Sequence, residues 1–393
     1  MDKQNVRVGI ITATDPADKR SWSGTYYRMN KALNEEFSTV INLGPVRLGN
    51  LSYYMMHLQL KICEKFHRYV FQKRYNKAHS HIRSRYYGRF FDKVIRKHEI
   101  DVLFAPSAST EIAHLKTNIP ICYFADATVA IILDYYDLYA NFSKKSKKIS
   151  NEIEQRAINK SVTQVFSSQW AFDSAKQDYG SKNTFIVKFG ANIDEEPKDE
   201  DLVKQYDSVI NILFVGVDWK RKGGDIVLDT IDKLDKNGYN VHLTVIGCVP
   251  PLKHPKINVI PFLNKNDKDD MRMLQDLFNK AHLFFLPTRA DCTPIVFCEA
   301  NAYGLPVITT DTGGVSSVIE NGVNGFMLPI NAGSEDYFKI IADLISDKEK
   351  LKKMAISSRE KYLKELNWSQ WGKEMKKILL LTIKYSDDRN GQI

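Results

Sequence analysis

The sequence predicts an α/β protein built as two similar halves, each a parallel sheet with crossover helices. Three observations predict it. Short apolar runs alternate with helix-period stretches from residue 6 to 189. A charged, aperiodic stretch containing a proline, residues 194–208, reads as a linker. A second alternating series then runs from 210 to 320. The length of 393 residues suits two cores, since one core rarely grows past about 250–300 residues. With 43% hydrophobic and 26% charged residues, a disordered or fibrous chain is excluded.

Taken in order, residues 6–13 form a near-continuous apolar run, as expected of a strand covered on both faces. Ser23-Gly24 then opens a helix through Tyr26, Met29 and Leu33. Further strands are expected at 39–43, 101–104, 119–124, 163–167 and 185–189, with a helical, basic insertion over 51–98. The second half offers strands at 210–216, 240–247, 257–261, 281–286 and 306–309. Helices lie between them at 223–236, 269–280, 294–303 and 314–320. An amphipathic helix over 368–383 follows. The division is 1–192, 193–367 and 368–393. Ligands of such sheets bind beyond the carboxyl ends of the strands, and a cleft between the halves is expected.

The charge is localised. Subtracting 47 Asp+Glu from 56 Lys+Arg gives +9. From 61 to 99 stand twelve cations: Lys61, Lys65, Arg68, Lys73, Arg74, Lys77, Arg83, Arg85, Arg89, Lys93, Arg96 and Lys97. Glu64, Asp92 and Glu99 oppose them, so the segment carries the whole excess. No nucleic-acid motif accompanies it; a solvated helical face is the bland alternative. The longest apolar runs, such as 378–383, fall short of the ~20 residues of a membrane span. No secretory signal pattern opens the sequence. The five cysteines form no C-x-x-C pair and no zinc spacing, so reduced thiols in a cytoplasm are expected.

The chemistry concentrates in four stretches. In the first, a strand leads into Pro287-Thr-Arg-Ala-Asp-Cys-Thr-Pro294, a helix carrying Glu299, then Gly304, Pro306, Val307 and Gly313-Gly314. Thr293 reads as an N-cap and Pro294 as the first helical residue, leaving backbone N–H groups over 294–296 for an anion or hydroxyls. Gly313-Gly314 offers a second set of bare donors. Asp291 and Glu299 are acceptors for polyol hydroxyls. In the second stretch, Gly216 ends a strand and Lys220-Arg221-Lys222 precede a helix, which suits a diphosphate leaving group. The third is Arg20-Ser-Trp-Ser-Gly24-Thr25-Tyr26, a turn allowing close backbone approach, with Trp22 as a stacking platform or a packing residue. The fourth is Tyr123-Phe-Ala-Asp126, a polar group at a strand end.

The Asp291-x7-Glu299 pattern, with Ala300, Gly304, Pro306, Val307 and Gly313-Gly314, resembles the signature of retaining group 1 (family 4) glycosyltransferases. That resemblance implies the GT-B fold, two Rossmann-like domains with an inter-domain cleft and a C-terminal crossover helix packing back on the first domain. It implies that Asp291 contacts the donor sugar and Glu299 the ribose. Cys292, Thr293, Pro294, Ile295 and Val296, with Gly24, Gly216, Gly313 and Gly314, then surround the donor. The family commonly has Glu where Asp291 stands. Lys222 matches the family's Lys. The companion Arg falls at Val217, with Arg221 or Lys220 as replacement and Arg289 as a third candidate. Ser23-Gly24 stands where two glycines are common. Ala125 stands at the position of a family His, and Asp126 is the nearest polar group.

The implied activity is metal-independent, retaining transfer from a nucleotide-diphospho-sugar, UDP- or GDP-linked, to a glycan or lipid-linked acceptor hydroxyl. No cofactor is expected. Asp199-x-Asp201 and Asp267-x-Asp269 read as solvated acids rather than metal ligands. The implied setting is cell-surface polysaccharide, lipopolysaccharide or glycolipid synthesis, in the cytoplasm. The 61–99 segment, with its interleaved aromatics, suits an anionic membrane surface at the inner face or an anionic glycan. A phosphorylase or hydrolase on the same fold, and a non-catalytic partner protein, are the alternatives.

Overall fold

The computed structural model describes residues 4–19, 21–46, 51–206, 209–264 and 266–390. Arg20 of the third stretch and the last two linker positions lie outside the described residues. The chain divides into two compact units, Met1–Val187 with Trp371–Ile393, and Lys188–Gln370. The division falls at 187/188 rather than 192/193 for a packing reason. Ala191 N–H donates to the Leu366 carbonyl at 2.9 Å, and a Cβ on Gly190 would lie 2.5 Å from the Trp368 nitrogen.

The first unit holds β1 (Gln4–Ile10), α1 (Thr25–Glu36), β2 (Phe37–Asn42), α2 (Leu51–Phe71) and α3 (His81–Ile95). There follow β3 (Val102–Pro106), α4 (Ser109–Ile112), β4 (Ile121–Ala125), α5 (Val129–Ile132), α6 (Lys144–Lys160), β5 (Thr163–Phe166), α7 (Gln169–Tyr179) and β6 (Thr184–Ile186). All pairings are parallel, in the order β2-β1-β3-β4-β5-β6. The strand order reverses at β1, so β1 and β3 flank the switch point of this sheet. β3 and β4 are fully buried along their length, which explains their unbroken apolar sequences.

The second unit holds β7 (Ile210–Val215), α8 (Gly224–Lys236), β8 (Val241–Ile246), β9 (Ile257–Ile260), α9 (Lys268–Lys280) and β10 (Leu283–Leu286). It continues with α10 (Ile295–Ala302), β11 (Val307–Thr310), β12 (Gly325–Leu328), α11 (Ser334–Ser346) and α12 (Lys348–Glu365). Its parallel order is β12-β11-β10-β7-β8-β9, with the switch point between β7 and β10. The β10 side chains Leu283, Phe284, Phe285 and Leu286 are wholly buried, each worth about 1.5–3 kcal/mol of apolar transfer.

The final helix, α13 (Trp368–Asn390), runs beyond the expected 368–383. Its residues from Trp371 onward belong to the first unit. The Trp371 ring packs edge-on against Phe104 and Phe124, and Thr382 Oγ1 shares a 2.7 Å hydrogen bond with Thr163 Oγ1. Among the described residues, no helix is long and apolar enough to cross a membrane.

Candidate functional site

The two loops that flank the switch point of the second sheet carry the two strongest sequence motifs. The loop after β7 runs from Gly216 to Gly223, and the loop after β10 from Pro287 to Pro294. Gly247, after β8, takes φ +96°, and a Cβ there would lie 2.9 Å from the Gly216 carbonyl. Gly223, at φ +73°, has the Pro287 carbonyl 2.1 Å from where a Cβ would stand, so only glycine lets the two loops meet.

The loops are tied by charge. The Lys222 ammonium forms a buried ion pair with Asp291, two residues each 10–12% exposed in their side chains. Asp291 and Lys222 were expected at donor sugar and leaving phosphate respectively; the structure brings them into direct contact. Arg221 donates through Nη1 to the Ala290 carbonyl at 2.8 Å. Arg289 makes a bidentate pair with Asp225 at 2.7 and 2.8 Å and donates to the Lys220 carbonyl. That pair holds the Asp225 carboxyl below its ordinary range. Both arginines therefore lace the loops together. The exposed Lys220 ammonium makes no bond with a described residue.

Three expectations are corrected. Pro294, not Thr293, occupies the cap position of α10, at ψ 97°, while Thr293 Oγ1 donates to the Cys292 carbonyl. Pro294 has no N–H, so the bare donors are those of Ile295 and Val296, which precede the first intrahelical donor, the Phe297 N–H that bonds the Pro294 carbonyl. The expected helix at 314–320 is a single 3₁₀ turn, Val315–Ser317. Gly313 takes φ +56°, and the Gly314 N–H bonds the Asp291 carbonyl at 3.2 Å, bringing the two halves of the motif together. Glu299 is 3% exposed on α10, one face away from the solvent. Gly216 sits beside Lys222, whose Cγ would lie 3.0 Å from an added Cβ.

In the first unit, Trp22, Ser23 and Gly24 all take left-handed conformations, at φ 48°, 55° and 89°. This explains why the resembling family favours glycines here: a left-handed non-glycine residue costs about 1–2 kcal/mol. Asp126 follows β4, where its charge acts on Tyr26. Asp267 caps α9, its Oδ1 accepting from the N–H groups of Asp269 and Asp270. Asp199 accepts from Arg359 at 3.3 Å.

Sequence reasoning missed Glu111, on α4 at the carboxyl end of β3. It is 8% exposed, and burial pushes its carboxyl up to about 7. A lone Glu in a short apolar stretch gives no motif to find.

Residues 195–361 match the family model of group 1 glycosyl transferases. The spore coat protein SA of Bacillus subtilis is 23% identical over 262 residues, covering 64% of this chain and 64% of that protein. The capsular polysaccharide biosynthesis glycosyltransferase CapM of Staphylococcus aureus is 28% identical over 172 residues, 42% of this chain and 43% of its own. The matched stretch thus spans less than two thirds of either relative. A sucrose-phosphate synthase from Thermosynechococcus elongatus superposes with a TM-score of 0.63 at 12% identity, over 95% of this chain and 98% of that one. WaaG, a glycosyltransferase involved in lipopolysaccharide biosynthesis, gives 0.57 at 14% identity, over 95% and 99%. At such identities the structures speak for the fold alone. Residues 195–361 are therefore similar to the group 1 glycosyl transferases, on a chain with the GT-B fold.

Proposed function

We propose that the protein transfers a sugar, with retention of configuration and without a metal, from a UDP- or GDP-linked donor to a glycan or lipid-linked hydroxyl. The observation that carries this reading is the buried Lys222–Asp291 pair at the switch point of the second sheet, beside the bare N–H groups of Ile295 and Val296. A diphosphate entering there exchanges one partner of Lys222 for another, so the ammonium is already positioned. Asp291 is then released to accept a donor-sugar hydroxyl. Lys220 is the cation for the role of the absent arginine, since Arg221 and Arg289 are committed to the loops. Glu299 binds the ribose, and Gly24 and Asp126 serve the sugar side of the first unit.

In the transfer, the bond from the anomeric carbon to the diphosphate oxygen breaks and the bond to the acceptor oxygen forms on the same face. The acceptor proton passes to the departing phosphate oxygen. The chain's part is positioning and neutralisation of that phosphate by Lys222, Lys220 and the α10 N-terminus. Supporting the reading, the Anabaena protein HepE, of like fold at a TM-score of 0.58 and 14% identity, was solved with UDP and glucose. The test is incubation with UDP- and GDP-hexoses and a lipid-linked or free glycan, with the product linkage read by NMR. An α-linked product from an α-linked donor is expected. An inverted linkage, or free sugar in place of product, contradicts the reading.

We further infer that the first unit docks on an anionic membrane surface at the cytoplasmic face, in keeping with a lipid-linked acceptor. The exposed apolar residues that support this reading lie on α2, partly before the 61–99 segment. Tyr75 and Phe91 are buried, and Tyr86, Tyr87 and Phe90 pack half-buried on the unit. On α2, Leu51, Tyr54, Leu58, Ile62, Phe66 and Tyr69 are 49–80% exposed along one helical face, flanked by exposed Lys61, Lys65 and Arg68. Each cation near an anionic surface contributes about 1 kcal/mol. Sedimentation with phosphatidylglycerol vesicles is expected to carry the protein down, with Leu58→Glu/Ile62→Glu left in solution. Equal sedimentation with neutral phosphatidylcholine contradicts the electrostatic part.

A further inference from the structure

The first sheet has its own switch point, between β1 and β3, and the residues gathered there are unlike the paired charges of the second. Ser107, left-handed at φ 49°, turns the chain out of β3 into α4, which places Glu111 beyond the strand end. Tyr26, in the first turns of α1 after β1, bonds Ser107 and feels the charge of Glu111. From the insertion, α3 lies close against α4: a Cβ on Gly88 would stand 2.6 Å from the His114 carbonyl, and His114 Nδ1 meets Ser84 Oγ at 2.9 Å. Arg83 and Tyr87 each precede one of those contacts by one position, so they form the adjoining stripe one turn apart. Both interact electrostatically with Glu111.

Two ionisable groups thus lie within electrostatic reach of each other without bonding. The Glu111 carboxyl accepts from its own backbone N–H and has no side-chain hydrogen bond or ion pair among the described residues. Arg83 Nε is buried and has no hydrogen-bond partner. Among the described residues the two form no ion pair. A buried guanidinium Nε without a partner and a buried carboxyl left apart from it are costly for stability alone, since closing the gap would recover their interaction. The arrangement is complete only with a guest that accepts from Arg83 and donates to Glu111 at once. Vicinal hydroxyls do both. An anion would meet the Glu111 carboxyl and a cation would meet Arg83, so neither is favoured. His79, whose burial lowers it to about 4, adds no charge at neutral pH.

We propose that Arg83 and Glu111, with Tyr87 and Tyr26 beside them, form a binding site for a neutral, hydroxyl-rich sugar ring at the β1/β3 switch point. This deepens the reading of the protein as a glycosyltransferase by giving the acceptor a place and a class. It also withdraws Arg83 from the basic face: eleven of the twelve cations remain for an anionic surface, and one serves a neutral sugar.

The test uses the full chain and saturation-transfer NMR with methyl glycosides of neutral hexoses and N-acetylhexosamines, beside hexuronic acids and hexose phosphates. Saturable signals from neutral glycosides are expected. Glu111→Gln and Arg83→Met should each weaken them about 10–100-fold, the loss of one charge-assisted hydrogen-bond pair. Thermal melting checks folding, and Tyr87→Phe, the mildest change, should weaken binding less than either. Absence of signal from every neutral glycoside, equal affinity in the variants, or preference for the anionic sugars overturns the proposal. The stabilisation of the same samples by UDP is recorded in parallel. Its absence in the wild type contradicts the proposed function and leaves this site standing, whereas unchanged glycoside binding in the variants contradicts this site alone.

Discussion

The two switch points make an instructive comparison. At β7/β10 every candidate cation but Lys220 is already committed: Lys222 to Asp291, Arg289 to Asp225, Arg221 to a carbonyl. At β1/β3 Arg83 and Glu111 stay apart, and burial raises the Glu111 carboxyl to about 7 rather than below its ordinary range. On the proposed function, the difference follows from what each is built to meet. A diphosphate brings two or more negative charges and can displace a carboxylate from an ammonium by competition. A neutral sugar brings none and cannot break an ion pair, so its site must be left open in advance.

Lys222→Ala breaks the first side of this comparison and carries the largest expected effect. Turnover should fall about 10²–10³-fold, the usual loss for one preorganised contact to a developing anion. A fall confined to donor KM would instead assign Lys222 to ground-state binding.

The second side is sharpened by pH. Burial raises Glu154, whose carboxylate oxygen accepts from Tyr123 at 2.9 Å, from 4.5 to about 7. Between pH 4.5 and 7 the unfolded chain has released this proton while the folded chain keeps it. Stability from this group is therefore full below pH 4.5 and declines as pH rises to about 7. Glu154→Gln keeps the acceptor for Tyr123 and removes the titration. In urea unfolding the variant should gain about 2–3 kcal/mol on the wild type between pH 5 and pH 8. Glu111, raised the same way, keeps part of the slope in the variant. Parallel curves would show that the Glu154 carboxyl is not held protonated.

The fold was legible because its strands are buried on both faces and so read as unbroken apolar runs, as in β3, β4 and β10. β12 was not: it is four residues opening on Gly325, a glycine required because a Cβ would lie 2.0 Å from the Val307 carbonyl. The donor-side motif was legible since Asp291, Glu299 and Gly313-Gly314 lie within one strand–loop–helix stretch. Its pairing with Lys222 was not, for that depends on β7 and β10 being neighbours in the sheet. Arg83 and Glu111 are further still from sequence reasoning. They come together through the crossing of α3 over α4, and neither stands in a motif.

The most direct test of the account is calorimetric titration of UDP and GDP into the full-length protein and into Lys222→Ala. The account predicts saturable binding of at least one of the two, weakened about 10–100-fold in the variant. Failure of both nucleotides to bind, or identical affinity without Lys222, would contradict it.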